Sequence, residues 1–227
     1  VMLSHKNICT NLMAMVSMIY IDPSDIFFSV LPLHHTYECT CGFLCPIYLG
    51  ASIAFCEGLR HIQKNLQESK ATMMLGVPLI FEAMYKRIWE QAKKNGLDKK
   101  LKMGIMISNF LKKINIDITR KLFAPIHNNF GGNIRLFISG AAAINPAVAK
   151  GFRDFGISFY QGYGLTECSP IVAVNSDKFF KDDAAGYPLP GVEVRIDQPN
   201  ENGIGEIVVK GENVMLGYYG DPEATAE

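Results

Sequence analysis

The chain has 227 residues with 22 basic and 22 acidic side chains, so its formal net charge is zero. That balance excludes recruitment to nucleic acid or to an anionic surface by an overall field, while leaving room for a local basic patch. A hydrophobic content of 48% with 19% charged residues is ordinary globular composition, enough for one large domain or two small ones around a sizeable core.

Ser4 fits an N-cap for a helix through "HKNICTNLMAMVSMIY". "DIFFSVLPL" reads as a buried strand stopped by Pro32, Gly42 to Leu49 as helical, and "GASIAFC" as a short continuous apolar strand. A brief amphipathic helix is expected in "LRHIQKNLQES" and a strand in "ATMMLG". The helix opening at Pro78 is the clearest element. Proline takes its first position, Gly96 follows its end, and Ile80, Phe81, Met84, Tyr85, Ile88, Trp89 and Ala92 form one stripe. A further helical region covers about 105 to 128, with an interruption expected near Pro125.

"NIRLFISG" is a strand, Asn145-Pro146 opens a helix that Gly156 closes, and "ISFYQGYG" is the last strand of the series. Continuous apolar strands alternating with helices indicate an α/β fold, a mostly parallel sheet flanked by helices on both faces. After residue 170 "GVEVRI" and "GEIVVKG" alternate with period two between turn residues, and no helix pattern is seen. The expected division is 1–170, an α/β subdomain, and 171–227, a small β-rich subdomain forming part of a barrel.

The longest apolar stretches, "NLMAMVSMIYI" and "GFLCPIYLGASIAFC", are too short or too broken by Pro and Gly to span a bilayer. Cys9, Cys39, Cys41, Cys45, Cys56 and Cys168 follow no repeating framework and read as reduced thiols of a cytoplasmic protein. Val1 begins as if mid-motif and "GDPEATAE" ends in a polar run, so the chain is expected to be a piece of something longer.

In an open parallel sheet ligands bind outside the carboxyl ends of the strands, and two loops leave such ends with unusual residues. In "SGAAAIN", small side chains from Ser139 to Ala143 would let backbone approach a flat ligand such as a purine. A tight strand-to-helix turn explains the same residues. In "YQGYGLTECSP", Gly162 and Gly164 permit close approach, Tyr163 offers a ring face, Thr166 a hydroxyl suited to phosphate, and Glu167 a hard oxygen suited to Mg²⁺. A nucleotide clamp and a glycine turn with a solvated Thr-Glu pair both fit this spacing. In "LPLHHTYECTCGFLC", His34 and His35 stand near three cysteines. The spacings match no usual pairing of zinc or copper ligands. The histidines could instead be packed or solvated, or one could sit at a pocket mouth and bond a carboxylate. Nucleophile elbow, dinucleotide fingerprint and Cys-x-x-Cys pair are all missing from the sequence.

"YQGYGLTECSP" resembles the Tyr-Gly-x-Thr-Glu signature of the adenylate-forming enzymes, which include acyl-CoA synthetases, luciferases and peptide-synthetase adenylation domains. "VMLSHKNI" resembles the tail of their phosphate loop, "LPLHH" their Leu-Pro-x-x-His segment and "SGAAAI" their Ser-Gly-Gly-Ala-Pro-Leu loop. "GYPLPGVEVRI" and "GEIVVKGENVMLGYYGDPEAT" resemble later stretches, so the likeness covers essentially the whole chain. "HHTYE" and "VPLIFEAMYKRIWE" are most similar to long-chain fatty acyl-CoA synthetases, although Tyr37 and Cys39 stand where some relatives carry a gating tryptophan.

The resemblance implies ATP turned into an acyl-adenylate and pyrophosphate, then a thioester with coenzyme A, with Mg²⁺ and a fatty acid as the other participants. It implies Tyr163 on adenine, with Gly140, Ala141, Ala142, Gln161, Gly162 and Gly164 around the base. Thr166 would meet the α-phosphate, Glu167 would ligate Mg²⁺, and His35 would face the acyl carboxylate. Two positions depart from the pattern: Ala141 replaces the usual second glycine and Ala143 the usual proline. The glycine-rich phosphate loop, a ribose-binding aspartate and the C-terminal domain with a catalytic lysine would lie outside these residues, so the isolated piece is expected to be inactive. Loading of a carrier protein, activation of an aryl acid, or a non-catalytic nucleotide-binding module remain as alternatives. A long apolar tunnel beside the "VPLIFEAMYKRIW" helix would favour a fatty acid. Peripheral membrane association stays open, because fatty acids partition into bilayers, and oligomeric state is not indicated.

Overall fold

The computed structural model describes residues 1–226. Helix α1 (His5–Met18) begins at a full capping box, in which Ser4 Oγ accepts from Asn7 N and the Asn7 side chain accepts from Ser4 N. Strand β1 (Ile26–Ser29) is followed by a π-helix (Tyr37–Leu44) that runs into α2 (Cys45–Leu49), so helical structure starts five residues before the expected Gly42. Then come β2 (Ser52–Phe55), α3 (Ile62–Ser69), β3 (Met73–Gly76) and α4 (Pro78–Lys94), with Pro78 in the first turn of α4 as expected.

Three helices occupy the next region: α5 (Asp98–Lys112), α6 (Thr119–Leu122) and α7 (Ala124–Asn129). The main break therefore falls at 113–118. Pro125 sits in the first turn of α7, where its missing N–H costs nothing. Strand β4 (Leu136–Ser139), α8 (Pro146–Asp154) and β5 (Ser158–Gly164) complete the alternating series, and Asn145 Oδ1 caps α8 by accepting from Ala147 N at 2.9 Å.

The main sheet has seven strands in the order β2-β1-β3-β4-β5-β6-β7. The pairs from β2 to β5 are parallel, whereas β6 (Ile171–Val174) and β7 (Tyr187–Pro188) join antiparallel. The change of pattern near residue 171 thus marks where the sheet turns antiparallel. The ribbon of β8 (Glu193–Asp197) and β9 (Glu206–Lys210) forms a separate two-stranded sheet. A short helix α9 (Pro222–Ala226) closes the described residues, where none was expected from the sequence; Glu227 lies outside them.

Strand alternation sends neighbouring side chains to opposite cores. Phe27, Met73, Leu75, Leu136 and Ile138 pack with α1 and the π-helix, whereas Phe28, Met74, Phe137 and Phe159 pack with α4, α7 and α8. The α4 stripe is confirmed in this second core, where Phe81 is enclosed by Phe137 and Phe159 at ring-centroid distances of 5.1 Å each. Strand β2 is the exception to the buried expectation, because it lies at the sheet edge and exposes Phe55. At the amino ends of the strands, Arg135 donates to both Asp25 oxygens at 2.9 and 2.6 Å, and Thr72 Oγ1 donates to Oδ1 at 2.6 Å, tying β1, β3 and β4 together.

Candidate functional site

Three loops meet beyond the carboxyl ends of the strands, and each is fixed by a local device. After β1 the chain turns into the π-helix, which keeps His35, Thr36 and Tyr37 at the sheet rim. Tyr37 OH donates to Ile138 O at 3.1 Å, pinning that helix to β4, and burial pushes its phenol well above the ordinary range. Behind it, Glu38 is 1% exposed; Ser29 Oγ donates to its Oε1 at 2.5 Å while Oε2 has no hydrogen-bond partner. Gly42 makes this burial sterically feasible, since a Cβ there would stand 2.7 Å from the Glu38 carboxyl carbon. Burial, opposed by the bond from Ser29, raises the Glu38 carboxyl to about 7.

After β4 the loop Gly140 to Ala143 carries Ala141 at φ 71°, in the left-handed region that glycine adopts more readily. Ser139, fully buried at its start, has a hydroxyl with no hydrogen-bond partner. After β5 the chain doubles back at once into β6. A Cβ on Gly164 would lie 2.1 Å from Pro170 O, so only glycine fits this return. The 165–171 loop is held from outside by amides: Asn11 donates to Ile171 O at 2.7 Å and accepts from Ile171 N at 3.2 Å, and Asn213 donates to Cys168 O at 3.0 Å.

Two adjoining cavities open between these loops. One, of about 260 Å³, is lined by His35, Thr36, Tyr37, Gly140, Thr166 and the apolar Met15, Ile19, Cys41 and Ile138. The other, of about 490 Å³, lies between Ala142, Ala143, Gln161 and the facing loop Asp182 to Ala185. Ala141, Gly162, Tyr163 and Gly164 line both and form the partition. Thr36 and Thr166 hydroxyl oxygens stand 3.3 Å apart. Tyr37 N donates to His35 Nδ1 at 3.1 Å, which leaves Nε2 to carry the proton of the neutral ring and act as a donor.

Of the residues singled out in the sequence, His35, Gly140, Ala141, Ala142, Gln161, Gly162, Tyr163, Gly164 and Thr166 all line one cavity or both. Glu167 lines neither. Its Oε1 accepts from Tyr218 OH at 2.9 Å, and its backbone oxygen accepts from Met215 N at 2.7 Å. The Gln161 carboxamide is engaged in donating to Asp182 O and Ala184 O at 2.9 and 2.8 Å, so it braces the opposite wall. That wall, Thr36 and Tyr218 were not picked out from sequence, and Ser139 was noted there only for its small size. Arg153 holds the wall through two bonds to Asp182 at 2.5 and 2.6 Å, a pairing of residues 29 apart that no local pattern signals.

The donor chemistry suits a nucleotide. The Thr36–Thr166 pair offers hydroxyls, and the aromatic partition suits a base. Mg²⁺ is commonly held by one or two carboxylates together with phosphate oxygens, so a lone Glu167 is compatible with it. Among the described residues, no group of three or more His, Cys, Asp or Glu side chains comes together. Cys41 and Cys45 are packed thiols, and burial pushes Cys45 up to about 12.

The AMP-binding enzyme family matches residues 1–219, and the chain belongs to it. It is 32% identical over its whole length to long-chain-fatty-acid–CoA ligase 1 of Cavia porcellus, and 30% to a peroxisomal long chain acyl-CoA synthetase of Arabidopsis thaliana. It spans about a third of each, 35% of their length. Among solved structures, ATP-bound MatB from Rhodopseudomonas palustris superposes with a TM-score of 0.70 at 24% identity, over 99% of this chain and 39% of that one. A long-chain-fatty-acid-CoA ligase from Archaeoglobus fulgidus does so with a TM-score of 0.69 at 20% identity, over 100% and 42%. These two likenesses establish the fold.

Proposed function

We propose that this chain is the nucleotide- and acyl-binding part of an ATP-dependent long-chain fatty acid–CoA ligase. The observation that carries the reading is the shared partition: one wall, Ala141 with Gly162 to Gly164, separates a wide cavity from a smaller, mainly apolar one. A base would lie in the wide cavity against Tyr163 and the alanines. The acid would enter the smaller one, and the two would meet where His35, Thr36 and Thr166 line the rim.

The chemical difficulty is bringing a carboxylate onto an anionic phosphate. Thr166, Thr36 and the Nε2–H of His35 are preorganised donors that would lower this repulsion, and such donors are among the largest contributions to catalysis. Mg²⁺, when bound at Glu167 and the phosphates, would add charge neutralisation. Coenzyme A then serves as the thiol acceptor in this reading. The division into an α/β part and a β-rich part belongs to the same proposal, with β8–β9 as the start of the second.

The smaller cavity, which the acid would enter, lies on the α1 side of the sheet, on the face opposite α4, where a long apolar tunnel would have favoured a fatty acid. Its volume of about 260 Å³ is at the small end for ligand sites, which favours a second reading, activation of a short or aryl acid. Pyrophosphate release by the full-length protein across acids of graded length decides between them. Turnover peaking with long-chain acids, and lost in Thr166→Ala, supports the first reading. A peak at short or aryl acids supports the second, and no acid-dependent release from the intact protein would refute both.

A further inference from the structure

We propose that the outer face of α5 docks this protein on an anionic lipid membrane. The inward side of α5 is spent on the fold, with Leu101 and Ile105 packed on the core and Gly104 and Ser108 buried. The outward side carries Met103, Met106, Ile107 and Phe110, spaced i, i+3, i+4 and i+7, with exposures of 60, 72, 48 and 65%. Ile114 and Ile116, just past the helix end, are exposed as well. Isolated exposed apolar side chains are common, but a helical stripe of four is not.

The charge around the stripe identifies its partner. Residues 93–121 hold nine basic side chains against two acidic ones, in a chain whose 22 basic and 22 acidic residues balance as a whole. By helical spacing, Lys99, Lys100, Lys102 and Lys113 flank the apolar residues on both sides, and all four are exposed. A polyanion alone would pair the lysines and leave Met106 and Phe110 in water. A second copy meeting this face symmetrically would set lysine against lysine. An anionic bilayer satisfies both parts, with apolar side chains in the acyl boundary and ammonium groups among the headgroups. No described helix is long and apolar enough to cross a membrane, so the contact is interfacial.

The test is flotation of the full chain with vesicles of phosphatidylcholine alone and of phosphatidylcholine mixed with phosphatidylserine. No nucleotide or acid is present, so the outcome is independent of the ligase reading. Binding is expected only to the mixed vesicles and should weaken as salt is raised. Two variants, Met106→Ser/Phe110→Ser and Lys99→Glu/Lys102→Glu/Lys113→Glu, should each lower the bound fraction by about tenfold or more. All five positions are exposed, so circular dichroism melts should match the parent; Lys99→Gln/Lys113→Gln serves as a milder variant should the triple change disturb folding. The proposal is overturned by absence of binding to mixed vesicles, by binding that both variants retain, or by a dimer in light scattering that the same variants abolish.

Discussion

Thr36 and Thr166, 130 residues apart in the chain, bring their hydroxyl oxygens to 3.3 Å across the rim of the smaller cavity. One belongs to the turn that starts the π-helix, the other to the turn after β5, so the contact spans the two loops that the proposed reaction must bring together. Thr166→Val should lower pyrophosphate release in the full-length protein by about 10- to 100-fold, as loss of a bond to a charged group would. Thr36→Val should cost less, and the double variant should fall short of the product of the two. Strict additivity would show that the hydroxyls do not act on a shared anion.

The partition predicts opposite outcomes for two small residues. Ala141→Gly relieves a left-handed alanine, so chemical denaturation should show a gain of roughly 0.5–1 kcal/mol after the added chain entropy of glycine is subtracted. Gly164→Ala forces a methyl group against Pro170 O and should cost about 1–3 kcal/mol or more, as overpacking does. Equal stabilities for the two variants would mean that the loops relax in a way this geometry does not allow.

Glu38 predicts a pH dependence of stability. Its folded-state value, about 7, lies above the ordinary 4.5, so the native state holds a proton that the unfolded chain releases. Between about pH 4.5 and 7 the unfolded state binds fewer protons, and stability therefore falls as pH rises, by an amount on the order of 3 kcal/mol, then levels off. In Glu38→Gln this component should vanish, leaving a flatter profile across the same window. A slope unchanged by the substitution would assign it to other groups.

The bond between Tyr218 OH and Glu167 Oε1 predicts competition with a metal ion for one carboxylate. Glu167→Ala should raise the Mg²⁺ concentration needed for half-maximal pyrophosphate release by about tenfold. Tyr218→Phe, which removes the competing donor, should leave that concentration unchanged or lower it. An increase in Tyr218→Phe equal to that in Glu167→Ala would show that the tyrosine helps to hold the metal.

Much of this protein was legible in local pattern. Pro78 and Gly96 bracket α4, Asn145 caps α8, and the strands from β1 to β5 are short apolar runs, because caps, turns and periodicity are written within a few residues of the structure they specify. The glycines around Tyr163 likewise announced a place of close approach. Partnership across distance was not legible. The joining of β6 and β7 to the main sheet, the burial of Glu38 against Ser29 and the wall held by Arg153 and Asp182 depend on which segments fold against one another. The side of the sheet taken by the smaller cavity and the outward turn of the α5 stripe are of the same kind. Periodicity shows that a segment has an apolar face; only the packed chain decides whether that face meets the core, a ligand or nothing.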